Sequence, residues 1–248
     1  MLTEERHARI FDLVNRKNSI TLTDICEELD ISESTARRDL KEMAEKGLLT
    51  RVHGGAISNR DNFLSIEADV EERLGICREE KRAIGEYAAS LVDEGDFVFI
   101  DAGTTTEYMI DALTVKDVTF VTNAFAHALR LAKRGYKVLV PEGEVKTTTE
   151  AIVGAECVEC LGNYNFTKSF IGANGISHKA GITTPDKAEA VVKKTVVENT
   201  DRTYILADHT KFDVVTAITF TKQSDVSVIT DRVNDKQYFK DGYIKEVM

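Results

Sequence analysis

The stretch Ile31-Ser-Glu-Ser-Thr-Ala-Arg-Arg-Asp-Leu-Lys-Glu-Met43 decides how the amino-terminal part of this chain folds. At about 100° per residue, Ala36, Leu40 and Met43 share one side of a helix. Ser34, Arg38 and Lys41 fall opposite, with Arg37 on the flank. Ser32 stands at the N-cap position, and Gly47 follows the last periodic residue as a stop. A thin apolar stripe with an Arg/Lys/Ser/Thr outer face suits the major groove, where such side chains meet base edges and phosphates. A solvated surface helix is the plainer reading of mixed charge, so the flanking segments decide.

Upstream, the spacing of Ile10, Phe11, Leu13 and Val14 predicts a helix over residues 2–17. Ser19-Ile-Thr21 is short and β-branched, and Thr21 precedes a helix in which Leu22, Ile25, Cys26 and Leu29 keep a 3–4 spacing. Asp30-Ile31-Ser32 has the length of a helix-turn-helix turn. Downstream, residues 48–52 and 56–58 flank His53-Gly54-Gly55, which predicts a β-hairpin. Helix, strand, helix, turn, helix, hairpin is the order of a winged helix-turn-helix. The expected DNA contacts are Thr21, Ser32, Ser34, Thr35, Arg37, Arg38 and Lys41, with Arg51 and His53 on the wing. Asp39, at the edge of the apolar face, is expected to orient an arginine rather than to touch DNA.

Net charge does not announce a nucleic-acid binder. The chain of 248 residues carries 32 Lys/Arg against 42 Asp/Glu. Residues 1–58 hold nine basic and eleven acidic groups, so the positive charge expected to meet DNA is local, on one helix and the wing. The acidic bulk repels DNA elsewhere, and association is expected to be salt-sensitive. No run approaches the roughly 18 apolar residues of a membrane helix. With Glu4 and Glu5 close to Met1 no signal peptide is expected, and Cys26, Cys77, Cys157 and Cys160 point to reduced thiols in a cytoplasm. Cys157-Val-Glu-Cys160 lacks a second pair or a neighbouring histidine, so helical packing is expected there and no metal.

Composition turns polar at Asn59-Arg-Asp-Asn-Phe63. The expected division is a DNA-binding domain at 1–58, a linker at 59–75 and a larger domain at 76–248. In the larger domain, near-continuous apolar runs at 96–100, 118–121, 137–140, 168–171, 203–207 and 226–229 alternate with helical segments at 80–91, 105–113, 124–133 and 188–199. That rhythm predicts an α/β fold with a parallel sheet covered on both faces. Ligands bind at the carboxyl ends of such strands.

Four polar loops follow strands. Asp101-Ala-Gly103-Thr104-Thr105-Thr106 opens a helix, where free N–H groups favour an anion. It matches neither the P-loop nor the dinucleotide fingerprint, so no cofactor is expected. Thr122-Asn123, Gly172-Ala-Asn174-Gly175 and Asp208-His-Thr-Lys211 are the others. Together they fit a pocket for a small, polar, anionic ligand. Lys211 and Lys193 are expected to neutralise a phosphate, and Asp101 and Asp208 to bind sugar hydroxyls.

These residues also carry a resemblance. Arg6, Ile10, Ser32-x-x-Thr-Ala-Arg-Arg-Asp-Leu-x-x-Met43 and Arg51-Val-His-Gly-Gly-Ala56 resemble the signature of the DeoR family, bacterial regulators of sugar metabolism. Asp101-x-Gly-Thr-Thr-Thr106, Val121-Thr-Asn123, Gly181-Ile-Thr-Thr184 and Ala207-Asp-x-Thr-Lys-Phe212 resemble that family's sensor domain. The resemblance implies a fold similar to ribose-5-phosphate isomerase and a phosphorylated-sugar effector. Residues 174–186 are most similar to the fructose operon repressor branch, which implies fructose 1-phosphate. Two positions depart from the pattern: Pro141-Glu-Gly-Glu144 replaces a Gly-Gly pair, and Asp213 replaces a glycine.

The rival reading is a sugar-phosphate isomerase with an appended DNA-binding domain. Aldose–ketose isomerisation needs a carboxylate beside the carbonyl. The loop of the resembling isomerases carries acids where this chain has Ile171-Gly-Ala-Asn-Gly175, and Asn174 cannot take a proton. A regulator that binds without turnover is expected, not an enzyme. Its partners are double-stranded operator DNA, a phosphorylated sugar and further copies of itself, since symmetric half-sites require at least a dimer.

Overall fold

The computed structural model describes residues 3–17, 19–45, 48–52, 54–58 and 70–248. The chain divides into two compact units, Met1–Ala68 and Asp69–Met248. His53, Gly47 and residues 59–69 of the expected linker lie outside the described residues.

The first unit runs α1 (Thr3–Lys17), β1 (Ser19–Thr21), α2 (Leu22–Leu29), α3 (Glu33–Glu45), β2 (Leu49–Val52) and β3 (Gly55–Ser58). Its three strands pair antiparallel in the order β1-β3-β2. Thr21 caps α2 reciprocally with Asp24, each side chain bonding the other's backbone N–H at 3.1 Å. Ser32 Oγ accepts from Thr35 N at 3.3 Å and starts α3. Ile10, Leu13 and Val14 meet Ile25, Leu29, Ala36, Leu40 and Met43 in one buried core, closed by Leu49 and Ala56 of the wing. Two glycines make the hairpin. Gly54 sits at φ +86°, and a Cβ on Gly55 would lie 2.1 Å from Ile20 O. The outcome is a winged helix-turn-helix.

The second unit opens with α4 (Val70–Gly75) and α5 (Arg78–Ala89), so six residues of the expected linker form a helix. It continues β4 (Phe97–Ile100), α6 (Thr104–Ala112), β5 (Thr119–Thr122), α7 (Phe125–Lys133), β6 (Lys137–Leu139), β7 (Glu144–Lys146), β8 (Ala151–Val153), α8 (Ala155–Gly162) and β9 (Phe166–Gly172). Then come β10 (Gly175–Ser177), β11 (Gly181–Thr184), α9 (Lys187–Glu198), β12 (Thr200–Leu206), β13 (Ile218–Thr221), β14 (Ser227–Thr230), α10 (Tyr238–Asp241) and β15 (Tyr243–Glu246). Seven strands form a parallel sheet in the order β15-β14-β12-β9-β4-β5-β6. The chain winds from β4 outward through β5 to β6, then resumes on the other side with β9, β12, β14 and β15. β4 and β9 therefore flank the switch point, and in such sheets ligands bind outside the carboxyl ends there.

Alternate residues of each strand serve opposite faces, as pleating requires. Val98, Ile100, Phe120, Phe170, Leu206 and Ile229 pack under α5, α6 and α7 with Ile84, Met109, Ile110 and Leu131. Phe99, Val121, Ile171, Ile205 and Val228 pack under α8 and α9 with Cys157, Leu161, Val192 and Val196. Each fully buried aliphatic or phenyl side chain contributes roughly 1.5–3 kcal/mol. Cys157 is core, and burial pushes its thiol up to about 12, which agrees with packing as the role of that helix.

A small antiparallel sheet, β10-β11-β13, lies beyond the main one. The two departures find local reasons. Gly143 holds φ +140°, and a Cβ there would lie 2.6 Å from Val153 O. Asp213 occupies the left-handed region at φ 60°, which glycine favours, and its carboxylate accepts the Tyr238 hydroxyl at 2.9 Å. Among the described residues no helix is long and apolar enough to cross a membrane.

Candidate DNA and effector sites

On α3 the outward side chains are Ser32, Ser34, Arg37, Arg38 and Lys41, all exposed; Thr35 is half-buried, and Arg51 and Thr21 are exposed. Asp39 is fully buried and receives Arg6 of α1 through Nε at 2.5 Å and Nη2 at 2.9 Å. Burial opposes ionisation of Asp39, yet the Arg6 bond and His7 at 3.2 Å hold its carboxyl below the usual range. The basic side chains have acidic neighbours one turn away: Glu33 accepts Arg37 Nε at 3.0 Å, and Glu42 lies 3.9 Å from Arg38. These exposed i,i+4 pairs are worth about 0.3–0.5 kcal/mol and yield readily to phosphate. A cavity of about 350 Å³ separates α3 from the wing, lined by Leu22, Arg37, Leu40, Arg51, Val52, Gly54 and Gly55.

In the second unit the four expected loops stand on adjacent strands, β12, β9, β4 and β5. Three side chains join the β4, β9 and β5 loops. Asp101, buried after β4, accepts Gly172 N of β9 at 3.0 Å and pairs with Lys193 of α9. Lys193 also donates to Gly172 O at 3.2 Å. Burial pushes the Asp101 carboxyl up, opposed by that ammonium. Asn123 accepts Ala102 N at 3.0 Å and donates to Ile152 O at 3.4 Å, joining β5, the β4 loop and β8. Thr122 is the last strand residue rather than loop, and its Oγ1 accepts Ala124 N at 3.2 Å. Asn174 accepts the Thr184 hydroxyl at 3.1 Å.

Gly103 is the N-cap of α6 and offers no side chain there. Thr106 Oγ1 reaches back to Asp101 O and Gly103 O, at 2.7 and 2.8 Å. Thr104 and Thr105, in the same first turn, are 7% and 8% exposed, and among the described residues their hydroxyls make no hydrogen bond. Two free hydroxyls and open helix N–H groups make an anion cradle. Lys193 is committed to Asp101, so Lys211 is the lysine of the expected pair that makes no ion pair among the described residues.

Sequence reasoning missed Lys81. It is buried on α5 and donates to Arg73 O at 2.5 Å. Burial pushes its ammonium down to about 8, while Asp208 pulls the other way. Burial likewise opposes charge on Asp208, but Lys211, Lys81 and the Thr210 side chain together hold its carboxyl below the usual range. His127 of α7 was missed too. It is buried with Nδ1 unpartnered, and burial and Arg130 push it down to about 4, so it stays neutral beside the Asp101–Gly103 loop. Neither residue carries a local sequence signal, because each gains its meaning from strands far along the chain.

A winged helix-turn-helix unit followed by an α/β unit with polar strand-end loops is the build of a DNA-binding transcription regulator. Residues 6–62 match the DeoR-like helix-turn-helix domain and residues 76–232 the DeoR C terminal sensor domain. The chain is 38% identical over 231 residues to an uncharacterised HTH-type transcriptional regulator, FruR, of Bacillus subtilis, covering 93% of this chain and 91% of that protein. It is 32% identical over 240 residues to the lactose phosphotransferase system repressor of Staphylococcus aureus, covering 96% and 95%. The chain belongs to the DeoR family. Among solved structures, ribose 5-phosphate isomerase A from Neisseria gonorrhoeae aligns over 53% of this chain and 52% of that chain, with 19% identity and a TM-score of 0.39.

Proposed function

We propose that the protein represses a sugar-uptake or sugar-catabolism operon and is released from operator DNA by a phosphorylated sugar. Residues 1–58 are its DNA-binding domain, and the unit that opens with α4 at Val70 and runs to Met248 is its effector domain. The observation that carries the reading is the set of polar strand-end loops on β4, β9, β5 and β12, which flank the switch point of the sheet. The Thr104 and Thr105 hydroxyls open α6 after β4, and Lys211 and Lys81 supply positive charge beside Asp208 at the end of β12. Fructose 1-phosphate is the effector that the resemblance implies, and the lactose phosphotransferase and FruR relatives support a sugar-linked role by name. A cleft of about 990 Å³ lies at the amino ends of β5 and β6. It lacks the helix N-terminus that an anion seeks, which favours the carboxyl ends.

Turnover is not expected. Asp101 is held by Gly172 and Lys193, and the position an isomerase needs for a base is Asn174. The protein works in the cytoplasm as a homo-oligomer of at least two chains, because paired half-sites need paired recognition helices. Effector binding alters the relation of those helices, and by reciprocity DNA alters sugar affinity by the same factor. A gel-shift series on an operator fragment tests this. Phosphorylated sugar lowers operator affinity in the unaltered protein, Arg38→Ala loses specific binding but keeps sugar affinity, and Lys211→Met does the reverse. Operator affinity that is indifferent to every phosphorylated sugar contradicts the reading.

A further inference from the structure

Three potential metal ligands from distant parts of the chain converge on the carboxyl end of β12. Cys77 stands at the N-cap of α5, Glu80 in that helix's first turn, and His209 in the 3-10 turn His209–Lys211. One ligand atom from each lies within 4.8 Å of the other two. Metal–ligand distances of roughly 2.0–2.3 Å call for a closure that side-chain rotation of half-buried groups supplies.

The histidine is already set up for coordination. Its Nδ1 lies 2.7 Å from Asp231 Oδ2, and its backbone N–H donates to Asp231 Oδ1 at 2.7 Å. Arg232 Nη2 lies 3.0 Å from His209 Nε2. An arginine can only donate, so Nε2 accepts and the ring proton sits on Nδ1, directed at Asp231. A buried carboxylate fixing the far nitrogen of an imidazole is the usual support of a metal-bound histidine. Arg232 is exposed and free to swing out.

We propose that Cys77, Glu80 and His209 form a three-ligand zinc site with an open fourth position. One thiolate, one carboxylate and one imidazole are a zinc donor set, and three protein ligands leave room for water or an incoming oxygen. Binding displaces the Cys77 thiol proton to solvent, while His209 enters neutral through Nε2. The charges around the site are Glu80, Asp208 and Asp231 on one side of the balance and Lys81, Lys211 and Arg232 on the other. Asp208 and Lys211 share this strand end, so a phosphate oxygen of the effector fits the fourth position. That last step rests on the sugar-phosphate reading; the three-ligand site does not.

The test uses the full chain, stripped of metal, with neither sugar nor DNA present. Cobalt(II) is titrated first, then displaced by zinc against a chromophoric chelator. The expected result is one equivalent per chain with a thiolate-to-cobalt charge-transfer band. Cys77→Ser and Cys77→Ala remove the band, and Glu80→Gln and His209→Ala weaken affinity at least tenfold. Asp231→Asn keeps the band and weakens affinity by about 10–100-fold, as loss of a supporting carboxylate does. The double variant Cys157→Ser, Cys160→Ser binds as the parent does. Thermal melts identify variants that remain folded. No band in the parent overturns the proposal, as does a band that survives in folded Cys77→Ser or disappears in the Cys157/Cys160 variant. Full affinity in Glu80→Gln and His209→Ala overturns it equally. A zinc site without any sugar-phosphate affinity would defeat the effector reading alone.

Discussion

Asp39 and Arg6 bind each other inside the protein, and through them the recognition helix is fixed to the first helix. The carboxylate has no exposure, and the guanidinium reaches it with two nitrogens at 2.5 and 2.9 Å. The acid within the basic run of α3 is therefore a tether that sets which face α3 turns outward. Breaking a buried pair leaves the surviving charge uncompensated, at about 3–5 kcal/mol. Asp39→Ala should lose that much stability in urea unfolding. Arg6→Met with Asp39→Leu should recover most of it, because the penalty lies in the orphaned charge.

His127 gives the second unit an acid-sensitive element. Its imidazole is buried, and its pKa is pushed from 6.5 down to about 4. The unfolded chain therefore binds the proton first as pH falls. Stability contributed by the neutral ring is complete above pH 6.5 and is lost progressively as pH falls toward 4. A shift of that size corresponds to about 3 kcal/mol. Unfolding free energy measured against pH should flatten over this window in His127→Phe, and an unchanged slope would count against the assignment.

Gly55 tests the wing. A methyl group there would sit 2.1 Å from Ile20 O, a backbone atom that cannot step aside without breaking the β1–β3 pairing. Gly55→Ala should unfold or loosen the first unit, costing well over about 1 kcal/mol, and should leave the melting of the second unit unchanged. Scanning calorimetry, which follows the two units as separate transitions if they unfold independently, reads both.

Much of this architecture was legible in the sequence. Ala36, Leu40 and Met43 announce the buried stripe of α3, and all three are buried. The continuous apolar runs announce the parallel strands because both faces of that sheet are covered. The small sheet was not legible. β10, β11 and β13 are three or four residues long, too short to show an alternation. The helical packing expected around Cys157 and Cys160 is α8, with Cys157 buried. In the site, the Thr-rich turn and Lys211 were readable as local motifs. The commitment of Lys193 to Asp101 was not, since 92 positions separate them. Lys81 and Cys77 beside Asp208 and His209 likewise depend on sheet order.

The central claim is that the strand-end loops of the second unit take a phosphorylated sugar. Calorimetric titration of the full chain with fructose 1-phosphate and other phosphorylated sugars, each beside its unphosphorylated counterpart, tests it most directly. The account predicts saturable binding of a phosphorylated sugar, no binding of the parent sugar, and at least a tenfold loss in Lys211→Met with none in Arg38→Ala. Binding of the unphosphorylated sugar with equal affinity, or binding that ignores Lys211, would contradict it.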